Sequence, residues 1–436
     1  MKKKTIIAAI CCVALLAIPV VGSLYQADIT NDNVDSTVEV ESNKDDVSSR
    51  NESISDSSDE KEYVQYAEEG AADDESSEEE SDITEALEVN IELSAKETSD
   101  GIYVSFSSEI AADYYLVEVS KDKEFNDTQQ TTTSSNEVTF EDLDQGYNYY
   151  IRATSYIEDE KAGISDTVRQ AIYTVYNVSF DTTAYSTEDY TESDINIVSD
   201  YYCGYYDDDY PEYITVLCNK DRYAISIDDT TKEDGNITIL PTGAMSQYGE
   251  GVERSTACSA ACMAMLLRYE YGLDITKEQV YYDAYEIGLI DQITVGMLNE
   301  NIAVLLDSEL EKYNLSGKAA IEEMSDAESY DLVKEYVDNK LANGHRLIVP
   351  VLAKQTTRDN AYITEYVMQS EIRHSVLVVG SCDDYYYVAD PYYKENPSQS
   401  DYYFGLRKVS CETLINSFEN CYICDNYRKR YINCVS

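Results

Sequence analysis

Between about residues 88 and 178, apolar and polar residues alternate with a period of two. Ile102, Val104 and Phe106 form one such series, Tyr115, Val117 and Val119 a second, Val138 and Phe140 a third, and Tyr149, Ile151 and Ala153 a fourth. Short alternating runs separated by polar turns predict a small antiparallel β-sandwich over residues 88–178. From residue 237 onward the spacing becomes helical. Ser255 or Thr256 can cap a helix that carries Ala260, Ala261, Ala264, Leu267 and Tyr271 and ends at Gly272. Further helices are predicted over residues 276–287, 294–306 and 327–341, the last with Leu332, Val333, Tyr336, Val337 and Leu341 on one face and Gly344 after it. Strands follow at residues 346–352, 374–380, 385–389 and 403–409. Helices first and an antiparallel sheet afterwards is an α+β order for residues 237–436. Between the two patterns, residues 179–236 are rich in tyrosine. Two apolar stretches there, residues 213–218 and 223–227, predict a hairpin around Asn219-Lys220-Asp221, and the fold of the rest is left open.

The N-terminal pattern is of another kind. Lys2, Lys3 and Lys4 precede an apolar run over residues 6–21, which is followed by Gly22 and Ser23. That is the anatomy of a secretory signal, residues 1–23, and the run falls just short of the ~20 residues a membrane span needs. An uncleaved anchor is the alternative. No second apolar segment of that length follows, so no transmembrane domain is expected in the mature chain. Residues 24–87 are dominated by Ser, Asp, Glu and Asn, too polar to offset their conformational entropy, and predict a disordered acidic linker. The 85 acidic residues against 32 basic ones, a formal charge of -53, exclude nucleic acid as a partner, because no basic surface is available to neutralise phosphates. A secreted or extracellular location follows, with association to the cell surface a further expectation.

The alternating region resembles a fibronectin type III domain over about ninety residues. Val104-Ser105-Phe106 stands where that family has its first core aromatic. Tyr115-Leu-Val-Glu-Val-Ser120, with Phe125 after it, is similar to the central strand, and Leu143 with Tyr149-Tyr-Ile-Arg-Ala153 to the tyrosine-corner strand. The usual Trp is missing, and the chain contains none. The resemblance implies a spacer or adhesion module that contacts the cell surface or wall.

Cys11 and Cys12 fall in the signal, which leaves nine of the eleven cysteines: 203, 218, 258, 262, 382, 411, 421, 424 and 434. In an oxidising compartment, one catalytic thiol and an even remainder for pairing would account for an odd number. Cys421-Tyr-Ile-Cys424 looks like half of a zinc or redox site, but no second pair at ligand spacing completes it, so no metal and no cofactor are expected.

The residue types that carry chemistry lie in the α+β region. Cys258 falls in the first turn of a predicted helix, where unpaired N–H groups and the macrodipole favour a thiolate. Cys262 lies one turn deeper, where that field has decayed. Only two histidines exist, His345 and His374. His374 opens the apolar strand His-Ser-Val-Leu-Val-Val-Gly380, which turns through Cys382-Asp383-Asp384 into a strand ending at Asp390-Pro391. Two antiparallel strands joined by a short turn bring the start of the first beside the end of the second, so Asp390 can orient the His374 ring. His345 is the runner-up base. Gln247, in Met245-Ser-Gln-Tyr248, is the candidate side-chain donor to an oxyanion, with the Cys258 backbone N–H as the other.

These residues, Gln247, Thr256-Ala-Cys-Ser-Ala-Ala-Cys-Met-Ala-Met265, His374-Ser-Val-Leu-Val-Val-Gly380 and Ala389-Asp-Pro391, resemble the papain-like cysteine peptidases of the bacteriocin-leader group, peptidase family C thirty-nine, and its secreted C39-like relatives. The resemblance covers about 190 residues. It implies a papain-like fold in which Cys258 attacks, His374 is the base, Asp390 orients it and Gln247 builds the oxyanion hole, with a peptide or protein as substrate. Ser259-Ala260 stands where the family commonly has Gly-Pro. Two functions therefore compete: a secreted cysteine peptidase, and a catalytically inactive surface binding or adhesion protein with a peptidase-like domain.

Overall fold

The computed structural model describes residues 90–98, 101–248, 256–290, 297, 299–325, 329–358, 361–367, 372–392, 402–418, 421–423 and 427–435. All fall within one compact unit, Asp82–Ser436. The predicted signal and the acidic linker lie outside the described residues, among which no helix is long and apolar enough to cross a membrane.

The alternating region forms strands β1 (Ile91–Thr98), β2 (Gly101–Ser108), β3 (Tyr114–Ser120), β4 (Thr128–Thr133), β5 (Glu137–Glu141), β6 (Tyr147–Ile157), β7 (Glu160–Ile164) and β8 (Val168–Ile172). β1, β2 and β5 make one antiparallel sheet, and β4, β3 and β6 a second, with β7 and β8 each pairing to β6. Ile102, Val104, Phe106, Tyr115, Val117, Val119, Phe140, Tyr149, Ile151 and Ala153 are buried in one core. A slip of one residue would turn any of these sets toward water, so the period-two pattern sets the register.

The tyrosine-rich connector is also built of strands: β9 (Thr174–Val178), β10 (Thr182–Tyr185), β11 (Glu192–Ile197), β12 (Tyr201–Tyr206), β13 (Tyr213–Cys218), β14 (Asp221–Ser226) and β15 (Thr230–Lys232). The predicted hairpin is β13–β14, paired from Tyr213↔Ser226 to Cys218↔Asp221 and turned at Asn219, whose φ is +53°. Tyr176, Val178, Ile197, Tyr202, Ile214, Val216 and Ile225 give this part its own core. Its tyrosines are packing elements: Tyr202 is fully buried and donates its hydroxyl to Val198 O at 2.9 Å, while Tyr190 stacks on Tyr210 with centroids 3.9 Å apart. One parallel pairing, Tyr206↔Tyr147, joins β12 to the sandwich.

The remaining elements are β16 (Ile237–Ile239), α1 (Cys258–Tyr271), α2 (Lys277–Glu286), α3 (Asn299–Lys312), β17 (Ala319–Ser325), α4 (Tyr330–Ala342), β18 (Leu347–Arg358), β19 (Ala361–Tyr366), β20 (Ile372–Cys382), β21 (Tyr385–Ala389), β22 (Tyr402–Tyr403), β23 (Arg407–Ser410), α5 (Cys411–Ser417), β24 (Cys421–Ile423) and β25 (Tyr427–Val435). The central sheet is antiparallel, in the order β17-β25-β18-β20-β21-β23. Val376 to Val379 in β20 read as an unbroken apolar run because both faces are covered. Leu377 and Val379 share a core with α1, and Val376 and Val378 share one with α4 and α5. Helix α1 is buried from Ser259 through Leu267, which explains its lack of a polar stripe, and ends where Gly272 adopts φ +68°. Helix α2 starts at Thr276 with a reciprocal capping box to Gln279.

Three expectations change. The strand expected at residues 403–409 is split: β22 pairs in parallel with β11 of the connector, and only β23 joins β21. Helix α3 runs to Lys312, beyond the predicted end at residue 306. The seven described cysteines, Cys203, Cys218, Cys258, Cys262, Cys382, Cys411 and Cys434, are free thiols, and all but Cys258 are buried. The buried ones serve as small apolar side chains, three in one core, two in a second and one in a third.

Candidate active site

Cys258 is the first residue of α1. Thr256 is not the N-cap; Ala257 is, and it makes no side-chain bond. The Thr256 hydroxyl instead shares a hydrogen bond with the Tyr281 hydroxyl at 3.1 Å, and Ser255 lies outside the described residues. At this helix start the first-turn N–H groups and the macrodipole favour negative charge on the thiol. Burial pushes the Cys258 thiol up, but hydrogen bonding and charge from His374, with backbone hydrogen bonds at Ser375 and Ser259, bring it below its ordinary value. Cys262, one turn deeper, donates to Ser375 O at 3.4 Å. Burial, with the neighbouring Cys258 and Asp390, holds it well above the usual range.

His374 lies near the start of β20, opposite Val351, and is buried. Its Nε2 and Asp390 Oδ1 are 2.7 Å apart, which leaves Nδ1 for the thiol. The pairing Leu377↔Ala389 explains the contact: continued by one step, it sets Asp390 across from Val376 and diagonal to His374. The carboxylate is held at both oxygens. Oδ1 also accepts the Tyr392 backbone N–H at 2.9 Å, and Oδ2 accepts the Tyr366 hydroxyl at 2.7 Å and the Arg407 guanidinium at 3.3 Å. Burial would raise the Asp390 carboxyl, yet His374, Arg407 and Tyr366 hold it far below the carboxylate range. Burial would lower His374, but Asp390 and then Cys258 lift it to about 10.

Gln247 is buried, and its backbone N–H donates to Pro391 O at 2.8 Å, tying this loop to the residue after Asp390. The Tyr392 ring stands edge-on to both His374 and Tyr248, with centroids 5.9 and 5.4 Å away. The structure thus gathers Cys258, His374 and Asp390 and anchors Gln247 beside the Asp390-Pro391 turn. His345 is elsewhere, after α4, with its backbone N–H on Lys340 O at 3.0 Å. Cys421 to Cys424 gives no metal reading, because its side chains lie outside those described. Among the described residues, no cluster of His, Cys, Asp or Glu could hold a metal ion. A cavity of about 920 Å³ at the seam with the sandwich, lined by Glu97, Tyr173, Tyr269 and Arg346 among others, contains none of the four candidate residues.

Sequence reasoning missed Tyr366, Arg407 and Ser375. The Ser375 hydroxyl hydrogen-bonds that of Ser259 at 2.8 Å in a buried pair, so Ser259 fastens the nucleophile helix to the histidine strand. Adjacency to His374 was the available signal for Ser375; for Tyr366 and Arg407 there was none.

These shifts carry a pH expectation. A thiolate beside an imidazolium persists from the lowered pKa of Cys258 up to the raised one of His374. Alkylation of Cys258 by iodoacetamide should therefore set in at a lower pH than that of the other thiols. Rates measured from pH 5 to 10 by peptide mapping check this, and an inflection at the ordinary thiol value would contradict it.

Residues 240–424 match the model of the Peptidase_C39 like family. The match covers the four candidate residues and leaves the sandwich and the connector outside. No curated protein matches the chain. Among solved structures, one similar chain is described as a candidate C39-like peptidase of Bacillus anthracis. It is 16% identical and is covered over 98% of its length by 47% of this chain, with a TM-score of 0.28.

Proposed function

We propose that this protein is an exported cysteine peptidase. Cys258 attacks a peptide carbonyl, His374 holds the proton and returns it to the leaving amine, Asp390 orients the imidazole, and the Cys258 N–H with Gln247 stabilises the oxyanion. The observation that carries this reading is the ion-pair geometry. Cys258 opens a helix and is near enough to the buried His374 for the imidazole to lower its thiol, and the Nε2 of that histidine is 2.7 Å from a buried carboxylate. The match of residues 240–424 to a peptidase family supports the same chemistry. Ser259 in place of glycine is accommodated by Ser375, which removes one argument for an inactive domain.

The sandwich is proposed as a fibronectin type III-like spacer. Its support is the division into a β1-β2-β5 sheet and a β4-β3-β6 sheet, with β7 and β8 on β6. Secretion through residues 1–23 and contact with the cell surface complete the proposal, with peptide or protein as the substrate class.

Competitive labelling with a thiol-directed electrophile at neutral pH separates a peptidase from an inactive binding protein. Cys258 should react at least tenfold ahead of the other cysteines, and His374→Ala should erase that lead. Equal labelling of all exposed thiols would rule out an activated nucleophile.

A further inference from the structure

Arg407 is a second cation on Asp390 beside the His374 imidazolium, and both of its neighbours in the chain are gripped by the connector. On one side, Leu406 and Tyr201 exchange backbone hydrogen bonds, Leu406 N–H to Tyr201 O at 2.5 Å and Tyr201 N–H to Leu406 O at 3.2 Å. On the other, the Lys408 ammonium bonds Glu233 and lies 5.7 Å from the Tyr201 ring centroid. The preceding residues are held as well. Asn196 and Ile197 pair with Tyr402 and Tyr403, Val198 N–H donates to Tyr403 O at 3.0 Å, and the Tyr202 hydroxyl, shared with Val198 O, reaches the same Tyr403 oxygen at 3.2 Å. Gly405 permits the approach, since a Cβ there would overlap the Tyr201 carbonyl oxygen. The negative charge of Asp200, also in the connector, acts on Arg407.

We infer that the connector, residues 174–233, is a working part of the active site: by clamping residues 402–408 it sets Arg407, and Arg407 is a positioning residue for Asp390. The inference rests on the cysteine-peptidase reading. Arg407 and Tyr366 occupy Oδ2, the oxygen that does not meet His374, and so turn Oδ1 toward Nε2. If that hold is lost, the buried carboxylate is freer to rotate and the imidazolium loses part of its counter-ion, so the neutral thiol–imidazole pair gains at the expense of the ion pair. The clamp lies largely outside the stretch that matches the peptidase family, residues 240–424, which contains only its receiving side.

The test uses the full chain and the pH dependence of Cys258 alkylation, with thermal unfolding to confirm that each variant is folded. Titratable groups that bear on the Cys258–His374–Asp390 unit are Cys262 on α1, Tyr366 on β19, Arg407 on β23, and Tyr248 and Tyr392 in the flanking loops. These are unchanged in Gly405→Ala and Tyr202→Phe. Arg407→Gln should move the alkylation inflection up by about one pH unit, slowing the reaction about tenfold at pH values below the inflection. Arg407→Lys should recover part of this. Gly405→Ala should move the inflection in the same direction and add little to Arg407→Gln, because both act through one contact. Tyr202→Phe, which removes the hydroxyl shared between the Val198 and Tyr403 carbonyl oxygens, should give a smaller shift the same way and stands in if Gly405→Ala does not fold. An unmoved inflection in folded Arg407→Gln, or in both Gly405→Ala and Tyr202→Phe, overturns the inference. So does full additivity of Gly405→Ala with Arg407→Gln. An ordinary thiol inflection in the unmodified protein would instead sink the peptidase reading itself, which keeps the two failures apart.

Discussion

Cys258→Ala is expected to lower peptide-bond hydrolysis by about five to six orders of magnitude, the loss seen when the nucleophile of a coupled catalytic unit is removed. Nothing nearby can replace it. Cys262 is buried, bonded to the Ser375 carbonyl, and held as a neutral thiol by burial and by the charge of Cys258. Stability should change little, because Cys258 is only partly buried and its contacts are with polar groups at the end of a helix. Hydrolysis of a peptide library together with thermal unfolding checks both halves. A folded Cys258→Ala protein with activity within tenfold of the original would place the nucleophile elsewhere.

The second large effect concerns Asp390. Asp390→Asn preserves shape but removes the charge that keeps His374 protonated. Burial, which lowers the imidazole, is then opposed by Cys258 without the carboxylate, so His374 drops from its raised value. The thiolate loses its counter-ion, and activity should fall by about 10⁴, as expected when the third member of a triad no longer sets the tautomer. Asp390→Ala should also cost about 3–5 kcal/mol of stability, since it leaves the buried His374 and Arg407 facing a vacated anion site. The pH dependence of that cost has a definite sign. A raised His374 contributes fully below its ordinary 6.5, and its contribution is lost as pH rises through about 10. A lowered Asp390 contributes fully above its ordinary 3.8, and its contribution is lost as pH falls through its depressed value. The stability gap between Asp390→Asn and the unmodified chain should therefore be widest between about pH 4 and 6.5 and should narrow toward pH 10. Denaturant unfolding at pH 5 and pH 9.5 tests it. A gap that widened toward pH 9.5 would show that the carboxylate does not stabilise an imidazolium.

The elements that were easy to read have one-dimensional causes. Strand β21 was expected at residues 385–389 and is found at Tyr385–Ala389, because its alternation and flanking turn are local. The ends of α1 and α2 were marked by Gly272 and Thr276, whose backbone preferences act within a few residues. The start of α1 was misjudged because Thr256 found a partner on α2, twenty-five residues away. The split of residues 403–409 was invisible for a related reason. Apolar spacing says that a segment is extended, but not which of two sheets it joins, and β22 chose a partner some two hundred residues upstream.

By itself, the sequence determined the chemistry available to this protein. It supplies a thiol where a helix begins, two histidines in all, and a carboxylate that strand pairing must return beside one of them. These follow from local propensity and from the arithmetic of a short antiparallel turn. Only the tertiary structure decided how the carboxylate is held. Tyr366 and Arg407 reach Asp390 from β19 and β23, and the connector grips the residues on either side of Arg407. Such contacts depend on the burial of distant strands in a common core. That is a property of the packed chain, and no local pattern of residues records it.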